Sequence, residues 1–271
     1  MYLSVLQYMS DTQLLLLMPA LSCLGLLLVA LGVRFINAKW GWLDYDSDIV
    51  DTATQNTMSG AYVVLGFVLA LVMTTASDLD DKVSQEAQAI KSLNGLLILD
   101  GTPPALDARA ALLTYTKSII TDEWAVLRQG HGSDLTSKAL SDVFRQIDRI
   151  EPESGKSVAV FSKILDAADR MAQVRNNRIL SVTSALPDIF YTVSLLSILG
   201  VIIICGLRLI EATPVRAITL VVQLIMLTLM LGAIAIIDLP YLGDTATSVE
   251  SLQDVYRGLE LQNPVLGPEN P

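Results

Sequence analysis

Histidine occurs once and cysteine twice in this chain of 271 residues, and that scarcity removes whole classes of chemistry. His131 stands in a glycine-rich turn, Gln129-Gly130-His131-Gly132, where a solvent-exposed side chain is the expected role. No Cys/His cluster has the spacing of a metal site, so no metal is expected. Cys23 and Cys205 both fall inside apolar runs. That position excludes an aqueous disulfide framework, and both read as small packing residues. Basic charge is short as well: 18 Lys and Arg stand against 28 Asp and Glu, a formal net charge of -10. Without a basic patch nothing neutralises phosphates, so nucleic acid is excluded as a partner. The chain also lacks a phosphate-cradling glycine loop and a G-x-S-x-G elbow. With no converging acid/base set, neither an enzyme nor a cofactor is expected. Asp44, Asp46 and Asp48 imitate the start of a calcium loop. Ile49 stands where that loop needs glycine and Gln55 where it needs glutamate, so a solvated acidic loop is the reading.

What the chain has in excess is long apolar sequence. Its mean hydropathy is +0.51 and 52% of its residues are hydrophobic. Four apolar runs, at 14–33, 58–75, 189–207 and 217–237, form a pair, a gap and a second pair. Each approaches the ~20 residues a helix needs to cross a ~30 Å hydrocarbon core. The expected fold is an all-α membrane protein with four transmembrane helices, arranged 2+2, and an inserted antiparallel helical bundle. The first run does not read as a cleavable signal peptide, because it is long, lacks a basic flank before it and lacks a small-x-small site after it. The lipid bilayer is therefore a partner. Arg34, Lys39, Arg208 and Arg216 mark the two short connections, and the positive-inside rule counted over them puts the large insert outside. Lys82, Lys91, Arg175 and Arg178 near the membrane ends of the insert pull the other way.

The divisions that follow are 1–57, a first membrane helix and acidic loop; 58–75, the second membrane helix; 76–186, an aqueous four-helix bundle; 187–238, the third and fourth membrane helices; and 239–271, an acidic tail. In the insert, Leu79, Val83, Ala87, Ile90, Asn94 and Leu97 recur at helical spacing. Leu106, Ala110, Leu113, Ile120, Trp124 and Leu127 form a second stripe, interrupted at Thr116-Lys117. Leu140, Val143, Ile147 and Ile150 form a third, and Val158, Phe161, Leu165, Ala168 and Met171 a fourth. Gly101-Thr102-Pro103-Pro104, the turn around His131, and 152–155 separate them, and Ser133 or Asp134 is placed to cap the third helix. The second span is expected to continue into the bundle as one helix. On the return, 158–185 is expected to run unbroken to Leu186-Pro187.

Polar residues in the spans are few. Gln223 is the strongest, and a hydrogen bond to a neighbouring helix explains it. The second span carries a stripe of small and hydroxylic residues: Ser59, Gly66, Ala70, Thr74 and Ser77. Gly66-x-x-x-Ala70 permits close helix packing, and the same stripe could line a narrow pore around a symmetry axis.

Several stretches, in order, resemble the bestrophin-like family of bacterial membrane proteins. They are Gly60-Ala61-Tyr62-Val63-Val64-Leu65-Gly66-Phe67 in the second span; Glu86-Ala87-Gln88-Ala89-Ile90; Thr121-Asp122-Glu123-Trp124 followed by Gly130; Arg175-Asn176-Asn177-Arg178-Ile179; Leu186-Pro187; and Asp238-Leu239-Pro240-Tyr241-Leu242-Gly243. The basic element departs at Asn176 and Asn177, and the last at Leu239 and Tyr241. The resemblance covers about 56–260 and leaves out the first span. It implies an oligomer of identical chains, in a bacterial inner membrane, related to anion channels whose second span lines the pore and whose insert is cytosolic. Its motif residues are Glu86, Glu123, Trp124, Arg175, Arg178, Pro187, Asp238, Pro240 and Gly243. Read on their own, Trp124 sits on an apolar stripe, Glu123 reads as a surface residue, and Arg175 or Arg178 reads as a partner for Asp238 or Asp188. The expected function is an anion-permeable or weakly selective pore lined by the second span. The alternative is a non-conducting scaffold, sensory or accessory subunit of a larger membrane complex, and the absence of an output domain after the fourth span favours the scaffold over a receptor.

Overall fold

The computed structural model describes residues 10–40, 47–127, 131–152, 155–181, 186–209, 213–238 and 247–262. All the regular structure among them is helical. In chain order the elements are α1 (Asp11–Trp40), α2 (Ser47–Asp100), α3 (Pro103–Ser118), a π-helical turn (Ile119–Glu123), α4 (Trp124–Leu127), α5 (Asp134–Ile147), α6 (Gly155–Leu180), α7 (Asp188–Leu209), α8 (Pro214–Ile237) and α9 (Glu250–Leu261). Among the described residues four helices are long and apolar enough to cross a membrane: Asp11–Lys39, Ile49–Asp100, Ile189–Leu209 and Pro214–Ile237. The chain divides into two compact units, Met1–Ala76 with Ser184–Ala246, and Ser77–Thr183 with Thr247–Pro271.

The first unit holds the apolar helices. Met58, Ala61, Leu65, Val68 and Val72 of α2 are buried with Ile198, Val201 and Cys205 of α7 and with Leu220, Leu224, Leu227, Leu231 and Ile234 of α8. Helix α1 packs on α7 and α8 through glycines. A β-carbon at Gly206 would overlap the side chain of Val29, and one at Gly232 would lie 3.4 Å from Leu15. Small residues at such crossings let backbones approach where apolar burial offers no advantage over lipid. The outward faces stay apolar: Leu16, Leu28, Val63, Leu196 and Val215 are exposed large hydrophobics. In water such a surface would aggregate; in a bilayer it faces hydrocarbon.

The second unit is a helical bundle with a mixed surface. The first expected stripe is the observed core face of α2: Leu79, Val83, Ala87, Ile90, Asn94 and Leu97 are all buried. The second holds in part. Leu113 and Leu127 are buried and Ile120 and Trp124 pack on the core as expected, but Leu106 is exposed, and Ala105, Ala108, Leu112 and Tyr115 of α3 with Ile119 of the π turn complete the core side. Alanines carry less weight in a hydrophobic pattern than leucines, yet they fill the close crossing here. On α6, Val158 and Leu165 are exposed, and the core face is Ile164, Ala168 and Met171. Helix α6 ends at Leu180, short of the expected run, and 182–185 lie outside the described residues. The Ser133 side chain caps α5 by accepting from the Thr136 amide at 3.4 Å.

Within the stretch expected to be an acidic tail, α9 inserts Leu252, Val255 and Leu259 into this core. A polar clamp fixes its end. Arg109 donates from Nε to Asn94 Oδ1 at 3.1 Å and from Nη2 to the Gln262 carbonyl at 2.6 Å, and Asn94 donates to Gln262 Oε1 at 2.9 Å. Gly101 closes α2 with φ of +67°, its amide bonded to the Leu97 carbonyl at 3.1 Å. A side chain in that left-handed conformation costs roughly 1–2 kcal/mol, so Gly101→Ala should lower unfolding stability by that amount, measured by denaturant titration in detergent.

Candidate functional site

Four of the motif residues converge in the second unit. Glu86 lies on α2, Glu123 in the π turn, and Arg175 and Arg178 on α6. Glu86, Glu123 and Arg178 are fully buried and Arg175 nearly so. Each sits where its helix already faces the core. Glu86 falls between Val83 and Ile90, and Arg175 and Arg178 extend the line of Ile164, Ala168 and Met171. The π turn brings in Glu123. Its i→i+5 bond runs from the Trp124 amide to the Ile119 carbonyl. Ile119 and Glu123, four residues apart, share one face of this segment, and both are fully buried.

The cluster is charge-balanced and its geometry is tight. Arg178 donates from Nε to Glu86 Oε2 and from Nη2 to Glu123 Oε1, both at 2.5 Å, and so bridges the two carboxylates. Arg175 donates to the other oxygen of Glu123 through Nε, at 3.1 Å, and through Nη2. Arg175 Nη2 also reaches Ser137 Oγ at 3.1 Å. Glu123 further accepts the Ser133 amide at 3.4 Å, at the start of α5. Gly132 permits that approach: a β-carbon there would lie 2.9 Å from Ile179 and 3.5 Å from Glu123 Oε2. Tyr115 donates to Glu86 Oε1 at 3.3 Å. Burial, then the Glu86 charge, push the Tyr115 phenol well above its ordinary range, so it serves as a donor. Arg178 lies 5.7 Å from the Trp124 ring centroid. The two carboxylates raise its pKa, outweighing the opposing effect of burial.

Two sequence expectations are corrected here. Glu123 is not a surface residue. Arg175 and Arg178 do not pair with Asp238; they pair with Glu123 and, through Arg178, Glu86. The side chain of Asp188 lies outside the described residues. Asp238 is instead buried at the end of α8, where it accepts the Leu186 amide at 3.1 Å and the Tyr191 hydroxyl. It ties the Leu186-Pro187 corner to α8, and Pro187 itself is exposed. Pro240 and Gly243 lie outside the described residues, as do Asp44 and Asp46. Trp124 is half-buried against the bundle core.

The small stripe of α2 is placed differently. Ser59, Ala70, Thr74 and Ser77 are exposed and Gly66 is half-exposed, on the side of α2 away from Met58, Leu65 and Val72. A β-carbon added at Gly66 meets nothing within 4 Å, so among the described residues no helix packs against the Gly66-x-x-x-Ala70 face. The backbone carbonyl of Gln223, rather than its side chain, accepts from Tyr62 at 3.0 Å. Sequence reading also missed the pair of Asp51 with Arg208, at 2.5 and 2.7 Å, where a residue of the acidic loop meets a loop-flanking arginine. Among the described residues, no three or more His, Cys, Asp or Glu side chains are grouped to hold a metal ion.

A family model described as the Bestrophin-like domain matches residues 23–252. The match starts inside the first span, which the sequence resemblance had left out, and ends in α9. No curated protein matches the sequence. Among solved structures, a crystal structure of a membrane protein is similar, with a TM-score of 0.67 at 11% identity, over 92% of this chain and 98% of the other. At that identity the likeness bears on the fold alone, and the fold it supports is the helical membrane architecture described above. With the family match spanning most of its length, the chain belongs to the Bestrophin-like domain family and is a multi-pass membrane protein of the bestrophin type.

Proposed function

We propose that identical copies of this chain assemble as a closed ring in a bacterial inner membrane, with α2 facing the axis of a weakly selective, anion-permeable pore. The observation that carries this reading is the uncovered α2 face. Its Ser59, Gly66, Ala70, Thr74 and Ser77 line one side of a helix whose opposite side is packed into the chain's own core. Small and hydroxylic groups suit a narrow water-filled path. Weak selectivity follows from two features. The Thr74 hydroxyl donates to its own helix, to the Ala70 carbonyl at 2.9 Å, and so has no proton to offer an anion. The net charge of -10 repels anions at long range. The Glu86–Arg178 cluster, buried and charge-balanced, would hold the bundle in shape rather than touch an ion.

The same face also carries Val63, Phe67 and Met73, exposed by 72%, 64% and 57%. That apolar content favours a second reading, in which α2 docks a partner helix and the protein is a non-conducting scaffold or accessory subunit. The mass and symmetry of the purified particle in mild detergent, by light scattering and imaging, separate the two. The pore reading expects a closed homo-oligomeric ring with an axial opening. A monomer, a dimer without an opening, or a co-purifying heteromeric complex would sink it.

A further inference from the structure

The first unit contains a cavity of about 470 Å³ that the pore reading does not use. It lies between the start of α2, the end of α7 and the first turns of α8, where the two short connections leave the apolar helices. The volume falls within the roughly 300–1,000 Å³ of small-molecule sites and is far larger than a bare halide needs.

Its wall is selective in what it can donate. The Thr54 hydroxyl donates to the Val50 carbonyl at 2.7 Å, the Thr219 hydroxyl to the Val215 carbonyl at 3.0 Å, and the Tyr62 hydroxyl to the Gln223 carbonyl at 3.0 Å. Those protons are committed within the protein. Charged or amide donors among the described lining residues are the guanidiniums of Arg208 and Arg216 and the side chains of Gln55 and Gln223, with the Ser59 hydroxyl beside them. Asp51 and Arg208 neutralise each other at 2.5 Å, which leaves Arg216 as the excess charge among the described lining residues. Helix α8 adds to it. Pro214 opens the helix, and the Thr213 side chain makes no capping bond to the positive end of α8, which lies beside Val215 and Arg216. Met58, Val215 and Leu220 give the same cavity an apolar lining.

We infer that this cavity binds a phosphodiester, supplied by the headgroup of an anionic phospholipid whose acyl chains leave along the apolar wall. Basic pockets between membrane helices at the headgroup level hold lipids in this way. The inference does not depend on conduction, although Ser59 lines both this cavity and the uncovered α2 face.

The test uses the full chain, delipidated in detergent, with its thermal midpoint followed against dihexanoyl phosphatidylglycerol, dihexanoyl phosphatidylcholine and inorganic phosphate. Phosphatidylglycerol should raise the midpoint saturably and phosphatidylcholine should not. Arg216→Gln, at an exposed position, should unfold like the parent without lipid and need roughly fivefold more phosphatidylglycerol, the factor one surface cation contributes toward an anionic lipid. Thr219→Trp, also at an exposed position, should fill the cavity and abolish the shift. If inorganic phosphate alone gives the saturable shift and Arg216→Gln weakens it, the phosphate site stands and its source is the solution. Equal shifts from the two lipids, or an Arg216→Gln titration identical to the parent, would overturn the assignment.

Discussion

Replacing Arg178 by methionine should destabilise the protein by about 3–5 kcal/mol, the usual consequence of removing one partner from a buried ion pair. The size follows from what is left behind. Glu123 keeps Arg175 and the Ser133 amide. Glu86 keeps only the Tyr115 hydroxyl at 3.3 Å, and its carboxylate is fully buried. One hydrogen bond does not offset the desolvation of a charge. Against a total stability of about 5–15 kcal/mol the loss is large. Arg178→Lys should be milder than methionine yet still costly, since an ammonium is a point charge and cannot span both carboxylates as the planar fork does. The double variant Glu86→Leu with Arg178→Met should recover most of the loss, because replacing a buried pair by apolar residues is often neutral or better. Denaturant unfolding of the two singles and the double closes a mutant cycle with a coupling energy of the order of a few kcal/mol. An Arg178→Met variant within 1 kcal/mol of the parent would show that the cluster does not hold the bundle together.

The architecture was largely legible in sequence, because the signals that carry it are local. Apolar length marks the spans, and the α2 stripe from Leu79 to Leu97 is buried throughout as its spacing predicts. The cluster was half legible. Glu86 occupies a core position in that stripe, and Arg175 and Arg178 continue the Ile164, Ala168 and Met171 line. A charged residue on an apolar stripe announces a buried partner, but it does not say which one. That information is a distance between residues 123 and 175, and no periodicity writes it. The interruption expected at Thr116-Lys117 lies within regular α3, where Thr116 is fully buried, and the π turn at Ile119–Glu123 had no signal in the pattern. On α3, Ala105 and Ala108 are small, so their part of the core face is faint in a hydrophobic pattern. On α9 the spacing of Leu252, Val255 and Leu259 is helical and was readable, but the acidic residues between them drew the reading to a solvated tail.

Gly66→Leu should reduce ion flux through reconstituted protein by at least about tenfold while leaving the fold unchanged. A β-carbon at Gly66 meets nothing within 4 Å, so the protomer has room for the new side chain. Helix propensity moves in its favour, by up to about 1 kcal/mol for removing a mid-helix glycine. Thermal stability should therefore be equal or higher, which separates this variant from one that fails to fold. In a ring every copy adds its leucine at the same height on the axis. A hydrophobic constriction closes a narrow path by excluding water, without needing to seal it sterically. Ala70→Leu, one turn along the same face, should act alike, whereas Val68→Leu on the buried face should disturb packing and stability instead. If Gly66→Leu conducts as the parent does, α2 does not line the path. If the parent itself shows no flux and Gly66→Leu releases a co-purifying protein, the exposed Val63, Phe67 and Met73 belong to a docking face, and the scaffold reading replaces the pore.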